Sequence, residues 1–408
     1  MTAAAAVLEQ AHGVAVDQRR LLLACVRQAL GTGKGPLPAL RSSANWPRLL
    51  ELAKQHRVVP LLRKVLCGAE WVPTAVQVWM EEYCRTIVSH NLSLASELTG
   101  VLDALQQAGV AAVPYKGPAW TKALYGNLAD RQIGDLDLFV EVSEIPRACT
   151  VLEGCGYTRG YFPGEDINRK DVGFVHTATG LHLELHWSPC EPWRDRRLAR
   201  LHLWTPQSTT VLLGREVALP SAENMLLLLA IHGFRDGWNS LKLVCDIAAL
   251  LRAYPDLDFK GALRRAAEVS RTRLILVPLA LAEQLLHVKL PAAAIARDPL
   301  VAEIAGQIER HHYTPEADRL EAEGRVVSGR IYLEWVRLQI VDNVWERLAW
   351  HTRYLFSLLA PNANDRSWFS RKLPEPVYWV LKPWRLLRSY GPARLLRLGR
   401  QFVARSAP

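Results

Sequence analysis

Residues 134–140 read Gly-Asp-Leu-Asp-Leu-Phe-Val and set two carboxylates, Asp135 and Asp137, two positions apart. In an extended strand the side chains alternate faces, so Asp135, Asp137 and Phe139 share one side and Leu136, Leu138 and Val140 the other. Two ionised carboxylates this close repel, and burial near a core adds a desolvation cost. A divalent cation such as Mg2+ or Mn2+ removes the repulsion. Hard cations prefer carboxylate oxygens and keep water or phosphate as their remaining ligands. By itself an Asp-x-Asp pair is more often a solvated strand face, so its surroundings decide.

The surroundings add two features. Upstream, the apolar run at 110–115 suits a buried strand and leads into Lys116-Gly117-Pro118. A glycine where a helix begins lets backbone N–H groups approach an anion, and the helix dipole favours negative charge there. Lys116 adds a cation, and Pro118 is tolerated in a first helical turn. Downstream, residues 181–187 read Leu-His-Leu-Glu-Leu-His-Trp and alternate again. His182, Glu184 and His186 share a face, which brings a third carboxylate onto a second strand. Three carboxylates on neighbouring strands beside a glycine turn can hold one or two metal ions against phosphate oxygens. The same His-x-Glu-x-His run is compatible with zinc if a third strand contributes a ligand.

These residues need a scaffold. Residues 1–110 carry apolar positions at three- and four-residue spacing, including Leu92, Leu94, Leu98, Val101, Leu102 and Leu105, and read as helical. Near Gly109 the pattern changes to strands. The spacing predicts a strand over 135–140 and a helix over 144–153, with Ser143 as N-cap and Gly154 or Gly156 as its end. Strands over 172–177 and 181–187 follow, joined by Ala178-Thr179-Gly180 as a hairpin loop. One further strand is expected over 211–219. From 221 to about 358 the helical period returns, with His232 and Asp246 as polar residues on leucine-rich helices. The expected fold is α+β, in four parts: a helical segment (1–108), an α/β core (109–220), a helical domain (221–360) and a basic amphipathic tail (361–408).

Composition bounds the partners. The net charge is +10, but residues 366–408 hold ten basic residues and one acidic residue, so nearly all of the excess lies in the tail. A basic groove for nucleic acid across the whole fold is not supported. The tail alternates leucines with arginines and suits either an anionic lipid surface or the protein's own body. Seven cysteines with no Cys-x-x-Cys fit a reducing, cytoplasmic setting rather than a disulfide framework. The longest apolar runs are too short to span a bilayer, and the N-terminus has no signal-peptide pattern.

The run Tyr115-Lys116-Gly117-Pro118-Ala119-Trp120, the later Arg131-Gln132-Ile133-Gly134-Asp135-Leu136-Asp137, and residues 181–187 together resemble the uncharacterised nucleotidyltransferase family of the DNA-polymerase-β-like superfamily. The stretch 231–251 resembles it too. The resemblance implies a metal-dependent enzyme that moves a nucleoside monophosphate from a nucleoside triphosphate to a hydroxyl on a small molecule, sugar, peptide or protein. It implies Asp135, Asp137 and Glu184 as metal-binding and catalytic residues. Lys116, Gly117 and Arg131 would meet phosphate. The superfamily commonly has Gly-Ser or Gly-Gly at the phosphate turn. Gly117-Pro118 departs from that and puts more weight on Lys116 or Arg131. The alternative is a non-catalytic binding or scaffold module that acts through its basic tail, at a membrane surface.

Overall fold

The computed structural model describes residues 18–33, 37, 44–160, 170–191, 195–290, 298–314, 332 and 335–359, with scattered positions between 377 and 388. The tail expected to form a basic amphipathic helix falls almost entirely outside the described residues, as do the first 17 residues.

Four helices open the described chain: α1 (Gln18–Ala29), α2 (Trp46–Gln55), α3 (Val59–Leu66) and α4 (Thr74–Gln107). Helix α4 is 34 residues long and buries Leu94, Leu98, Val101, Leu102 and Leu105. Leu92, expected on the same stripe, is 45% exposed. It lies two residues from Leu94, about 200° around the helix, so both cannot face the core. The helix ends at Gly109, whose φ is +72°. There the Val110 N–H reaches back to the Leu105 carbonyl at 2.9 Å, the left-handed closure that glycine permits.

The central sheet holds five strands among the described residues: β1 (Ala112–Pro114), β2 (Leu136–Val140), β3 (Tyr157–Arg159), β4 (Asp171–His176) and β5 (His182–His186). Their order is β1-β2-β5-β4-β3, with β2 and β5 parallel and the other pairs antiparallel. The chain is therefore α+β. Register converts sequence alternation into two unlike faces. Leu136 lies beside Leu183 and Phe174, and Leu138 beside Leu185 and Val172, all buried. On the other face Asp137 lies beside Glu184 and Gly173, and Phe139 beside His186 and Asp171.

Between β1 and β2 runs α5 (Gly117–Tyr125), and between β2 and β3 runs α6 (Ile145–Gly154). Helix α6 begins with Glu144 at its cap and a proline in its first turn. Ser143, expected as the cap, belongs to a single 3-10 turn over Val142–Glu144. The hairpin between β4 and β5 turns on Gly180 at φ +70°. The single strand expected over 211–219 is instead a hairpin, β6 (Pro206–Leu212) and β7 (Arg215–Pro220). Leu213 and Gly214 both take positive φ at its turn, which matches the twist of the paired strands.

Helices follow: α7 (Arg196–Ala199) before the hairpin, then α8 (Ala222–Arg235), α9 (Leu241–Ala253), α10 (Phe259–Glu268), α11 (Thr272–Leu286) and α12 (Pro299–His312). Ser221 caps α8 by accepting the Asn224 N–H at 3.2 Å. Gly233 in α8 leaves room for the Trp238 indole, since a Cβ there would stand 2.3 Å from the ring. That contact fixes the turn from α8 into α9. Among the described residues no helix is long and apolar enough to cross a membrane.

Candidate active site

The polar face of the sheet gathers most of the expected residues. Asp137 projects from the middle of β2 and is 3% exposed. One of its oxygens, Oδ1, lies 2.9 Å from His186 Nε2, and the other, Oδ2, lies 3.1 Å from Lys116 Nζ. Glu184, beside it on β5, brings Oε2 to 3.3 Å from the same His186 nitrogen. Asp137, Glu184 and His186 each offer a donor atom within 4.8 Å of the others. Asp135 stands one residue before β2, exposed at the rim, and is not part of that close cluster.

Each carboxyl responds to its surroundings. Burial alone would raise Asp137, but the Lys116 ammonium and the His186 hydrogen bond outweigh it and hold the group well below the usual carboxylate range. The hydrogen bond with His186 lowers Glu184 against the opposing effect of partial burial. Burial and the neighbouring Asp137 charge push Asp135 the other way, above its ordinary value. Burial opposes the charge on Lys116, yet Asp137 raises it overall. Asp137 Oδ2 is buried and meets no well-aligned hydrogen-bond donor, although the Lys116 charge is near.

The turn that delivers Lys116 is unusual. Lys116 has φ +64° and ψ −141°, and Gly117 follows at φ +62°. A non-glycine residue held there costs about 1–3 kcal/mol. Neighbouring contacts hold it: the Tyr115 N–H donates to the Asp137 carbonyl at 2.8 Å, and Trp120 Nε1 donates to the Pro114 carbonyl at 2.9 Å. The result aims the Lys116 side chain at Asp137 and across the Tyr115 ring, 4.4 Å from its centroid. Gly117 faces Asp135, whose carbonyl would lie 3.7 Å from a Cβ at that position.

Aromatic rings wall the polar face. Phe139 stacks on Trp204 with centroids 4.7 Å apart, and Tyr115 meets His186 edge-on at 5.5 Å. On the far side His186 Nδ1 lies 3.7 Å from Asp171 Oδ2, and Asp171 is ion-paired with Lys170. Lys170 and Asp171 escaped the sequence reading. The hairpin register placed Asp171 opposite His186, and pairing outward from the Ala178–Gly180 loop would have found it. His182, at the far end of β5, is exposed and takes no part.

Arg131 goes elsewhere. Its Nε and Nη2 donate to the two carboxylate oxygens of Asp246 at 2.7 and 2.9 Å, and both residues are buried. Tyr125 Oη also donates to Asp246, at 2.9 Å. Asp246, expected only as a polar residue on a leucine-rich helix, thus has Arg131 as its partner. The loop carrying Arg131 is tied to α4 by Asn91, whose Nδ2 donates to the carbonyls of Leu128 and Arg131, each at 2.7 Å. His232, on α8, accepts from Arg235 Nη2 at Nδ1 (2.8 Å), and burial pushes its imidazole well below the ordinary value.

No curated protein matches the chain. Among solved structures it is similar to an antigenic nucleotidyltransferase-like protein from Paracoccidioides brasiliensis, at 16% identity and a TM-score of 0.30, over 52% of this chain and 97% of that one. A family profile described as uncharacterised nucleotidyltransferase matches residues 42–287, which include every strand of both sheets and helices α2 to α11. As that match spans more than half of the chain, the protein belongs to the uncharacterised nucleotidyltransferase family.

Proposed function

We propose that the protein transfers a nucleotidyl group from a nucleoside triphosphate to a hydroxyl acceptor, with a divalent cation, Mg2+ or Mn2+, held by Asp137 and Glu184 and completed at the rim by Asp135. Family membership supports the reaction class. The observation that carries the site is Asp137 Oδ2, a buried carboxylate oxygen without an aligned donor, set among three ligand-type side chains within 4.8 Å. The donor set fits: two carboxylates suit a hard cation such as Mg2+ or Mn2+.

The cation, when bound, supplies charge stabilisation to the phosphate oxygens and to departing pyrophosphate. The chain's own groups do the rest. His186 fixes the rotamer of Asp137 through Oδ1 and leaves Oδ2 for a cation. Glu184, with 40% of its side chain exposed and its carboxyl held below the usual range, is ionised at neutral pH and reaches solvent. It is the group placed to accept the proton of the attacking hydroxyl. Gly117 brings the start of α5 near phosphate, but Pro118 has no N–H to offer. Lys116 can supply the missing attraction only when a cation takes its place at Asp137 Oδ2, where it now stands at 3.1 Å. Arg131 is left out of the phosphate contacts, because its fork is committed to Asp246.

A second reading rests on one contact. Lys116 already balances Asp137, as an ammonium standing where a cation would be. A site neutralised in this way can serve a module that binds without turnover. The two readings separate in one experiment: pyrophosphate release from each of the four nucleoside triphosphates with Mg2+ or Mn2+, in the presence of cell extract as the acceptor source. Release that disappears in Asp137→Asn supports transfer. Absence of release from all four, or full release in the variant, overturns it.

A further inference from the structure

Helix α13 (Val344–Leu359) begins inside out. Polar groups fasten its first turn to the body. Asn343 Oδ1 accepts the N–H groups of Trp345 and Glu346 at 2.9 and 3.2 Å. Glu346 Oε1 accepts from Arg271 Nη2 at 2.8 Å, and its Oε2 lies 3.4 Å from Arg197 Nη1. Arg271 is fully buried and also donates through Nε to Asp195 Oδ2 at 2.7 Å. Arg347 Nη2 donates to the Val341 carbonyl at 3.0 Å. At about 100° per residue, Glu346, Arg347 and Trp350 share one side of the helix, and all three are partly buried. Val344, Trp345, Leu348, Ala349 and Thr352 share the other, and all five are exposed. Trp345 is 76% exposed and Leu348 52%. A surface helix ordinarily turns its apolar stripe to the core. This one gives its charges to the body and turns the stripe away.

The described positions further along the chain continue the pattern. Tyr378 and Lys382, four residues apart, are buried, whereas Val377, Trp379 and Trp384 are exposed. The Arg388 guanidinium lies over the Trp384 ring, 5.4 Å from its centroid. Among the described residues the exposed tryptophans are Trp345, Trp379 and Trp384, so all of them follow residue 343. The charge falls on the same part of the chain, since residues 366–408 hold ten basic residues and one acidic residue. That charge decides what the apolar side chains meet. A second copy would bring two segments of like charge together. An anionic bilayer attracts basic residues, and indole rings favour the headgroup level, where the ring is dry and its N–H is wet.

We propose that the protein docks peripherally on an anionic lipid surface, with Trp345, Leu348, Trp379 and Trp384 seated among the headgroups and the basic C-terminal segment supplying the attraction. Apolar insertion and a polybasic stretch are two signals of the kind that together hold a protein at a bilayer. Lipid docking stands apart from nucleotidyl transfer, because none of these residues belongs to the sheet that carries Asp137 and Glu184.

The test is flotation of the full chain with vesicles of phosphatidylcholine alone and of phosphatidylcholine mixed with phosphatidylglycerol. The wild type is expected to bind the mixed vesicles, to bind the neutral ones about tenfold less or weaker still, and to leave the mixed ones as salt rises. Trp345→Ser with Leu348→Ser should weaken binding to mixed vesicles by about tenfold or more, and Trp379→Ser with Trp384→Ser by a similar factor. Val211→Ser with Leu213→Ser removes two exposed apolar side chains from the β6–β7 hairpin and should change nothing. All three variants should keep the circular-dichroism spectrum of the wild type, because every substituted side chain is exposed. A wild type that ignores mixed vesicles overturns the proposal. So does equal binding by the wild type and both tryptophan variants, or equal weakening by the hairpin variant. Neutral vesicles bound as tightly as mixed ones overturn the role of charge. A wild-type dimer in light scattering that Trp345→Ser with Leu348→Ser makes monomeric, with no vesicle binding by either protein, gives the face to a second copy and overturns lipid docking.

Discussion

Two buried aspartates in this fold have opposite surroundings. Asp246, on α9, receives two nitrogens of Arg131 and the hydroxyl of Tyr125, so both oxygens are bonded. Asp137, on β2, receives His186 on one oxygen and leaves the other without an aligned donor, next to a second carboxylate. Both carboxyls are held below the usual range by a neighbouring cation despite burial. The difference is saturation. A carboxylate whose two oxygens are both bonded by its own protein is a rivet. One whose second oxygen meets only the Lys116 ammonium, beside another carboxylate, can exchange that ammonium for a cation from outside. Arg131 and Asp246 join the loop before β2 to the helical layer, whereas Asp137 and Glu184 lie side by side on the polar face of the sheet.

The sharpest way to break this distinction is to neutralise each aspartate in turn. Asp137→Asn keeps the volume and should lower metal-dependent pyrophosphate release by about 10³-fold or more, the scale on which loss of one pre-organised charge acts. The protein should still give the circular-dichroism spectrum of the wild type. An Asp137→Asn protein with wild-type turnover would place Asp137 with Asp246 as a purely structural acid.

Next comes stability. Asp246→Ala leaves the Arg131 guanidinium buried without a partner, which should cost about 3–5 kcal/mol in chemical denaturation. Activity per folded molecule should fall far less than in Asp137→Asn. The pair Arg131→Met and Asp246→Leu together should recover much of the loss, because buried ion pairs are often replaceable by apolar side chains of similar size. Failure of the double variant to recover would mean that Arg131 meets ligand as well as Asp246.

The comparison also marks how far the sequence could be read. The alternation over 135–140 and 181–187 was enough to place Asp137 and Glu184 on one sheet face, because the strand period of two is local. The register then did what alternation predicts, setting Asp137 beside Glu184. Partner choice was not local. Arg131 and Asp246 are 115 positions apart, and nothing in either segment says that the fork will turn away from phosphate. Lys116 was expected to meet phosphate, but a backbone held at positive φ aims it at Asp137. Leu92 was misplaced for a simpler reason: a leucine-rich helix has more leucines than its buried stripe can accept.

Lys116 stands on the Asp137 side of the comparison and gives a smaller effect. Lys116→Ala keeps the backbone demand at that position and removes only the ammonium. Asp137 then loses its internal cation, so Mn2+ should raise the melting temperature of the variant by several degrees more than that of the wild type, as expected for a ligand that binds the native state more tightly. An equal shift in both proteins would mean that Lys116 and metal do not share the site.

The smallest effect concerns pH. The Asp246 carboxyl is lowered in the folded protein, since Arg131 outweighs the opposing effect of burial. A lowered carboxyl contributes stability that is present above its unfolded value, near 3.9, and is lost as pH falls through the folded value. The stability of the wild type should therefore fall more steeply below about pH 4 than that of the Arg131→Met, Asp246→Leu double variant. Asp137 and Glu184 are lowered as well, but they are present in both proteins and cancel in the difference. Thermal melts from pH 7 to pH 3 should show the gap between the two proteins shifting by a few degrees, about what a difference on the order of 1 kcal/mol gives. A gap that stays constant over that range would mean that the Asp246 carboxyl is not held down by Arg131, and the contrast between a saturated and an open aspartate would then rest on geometry alone.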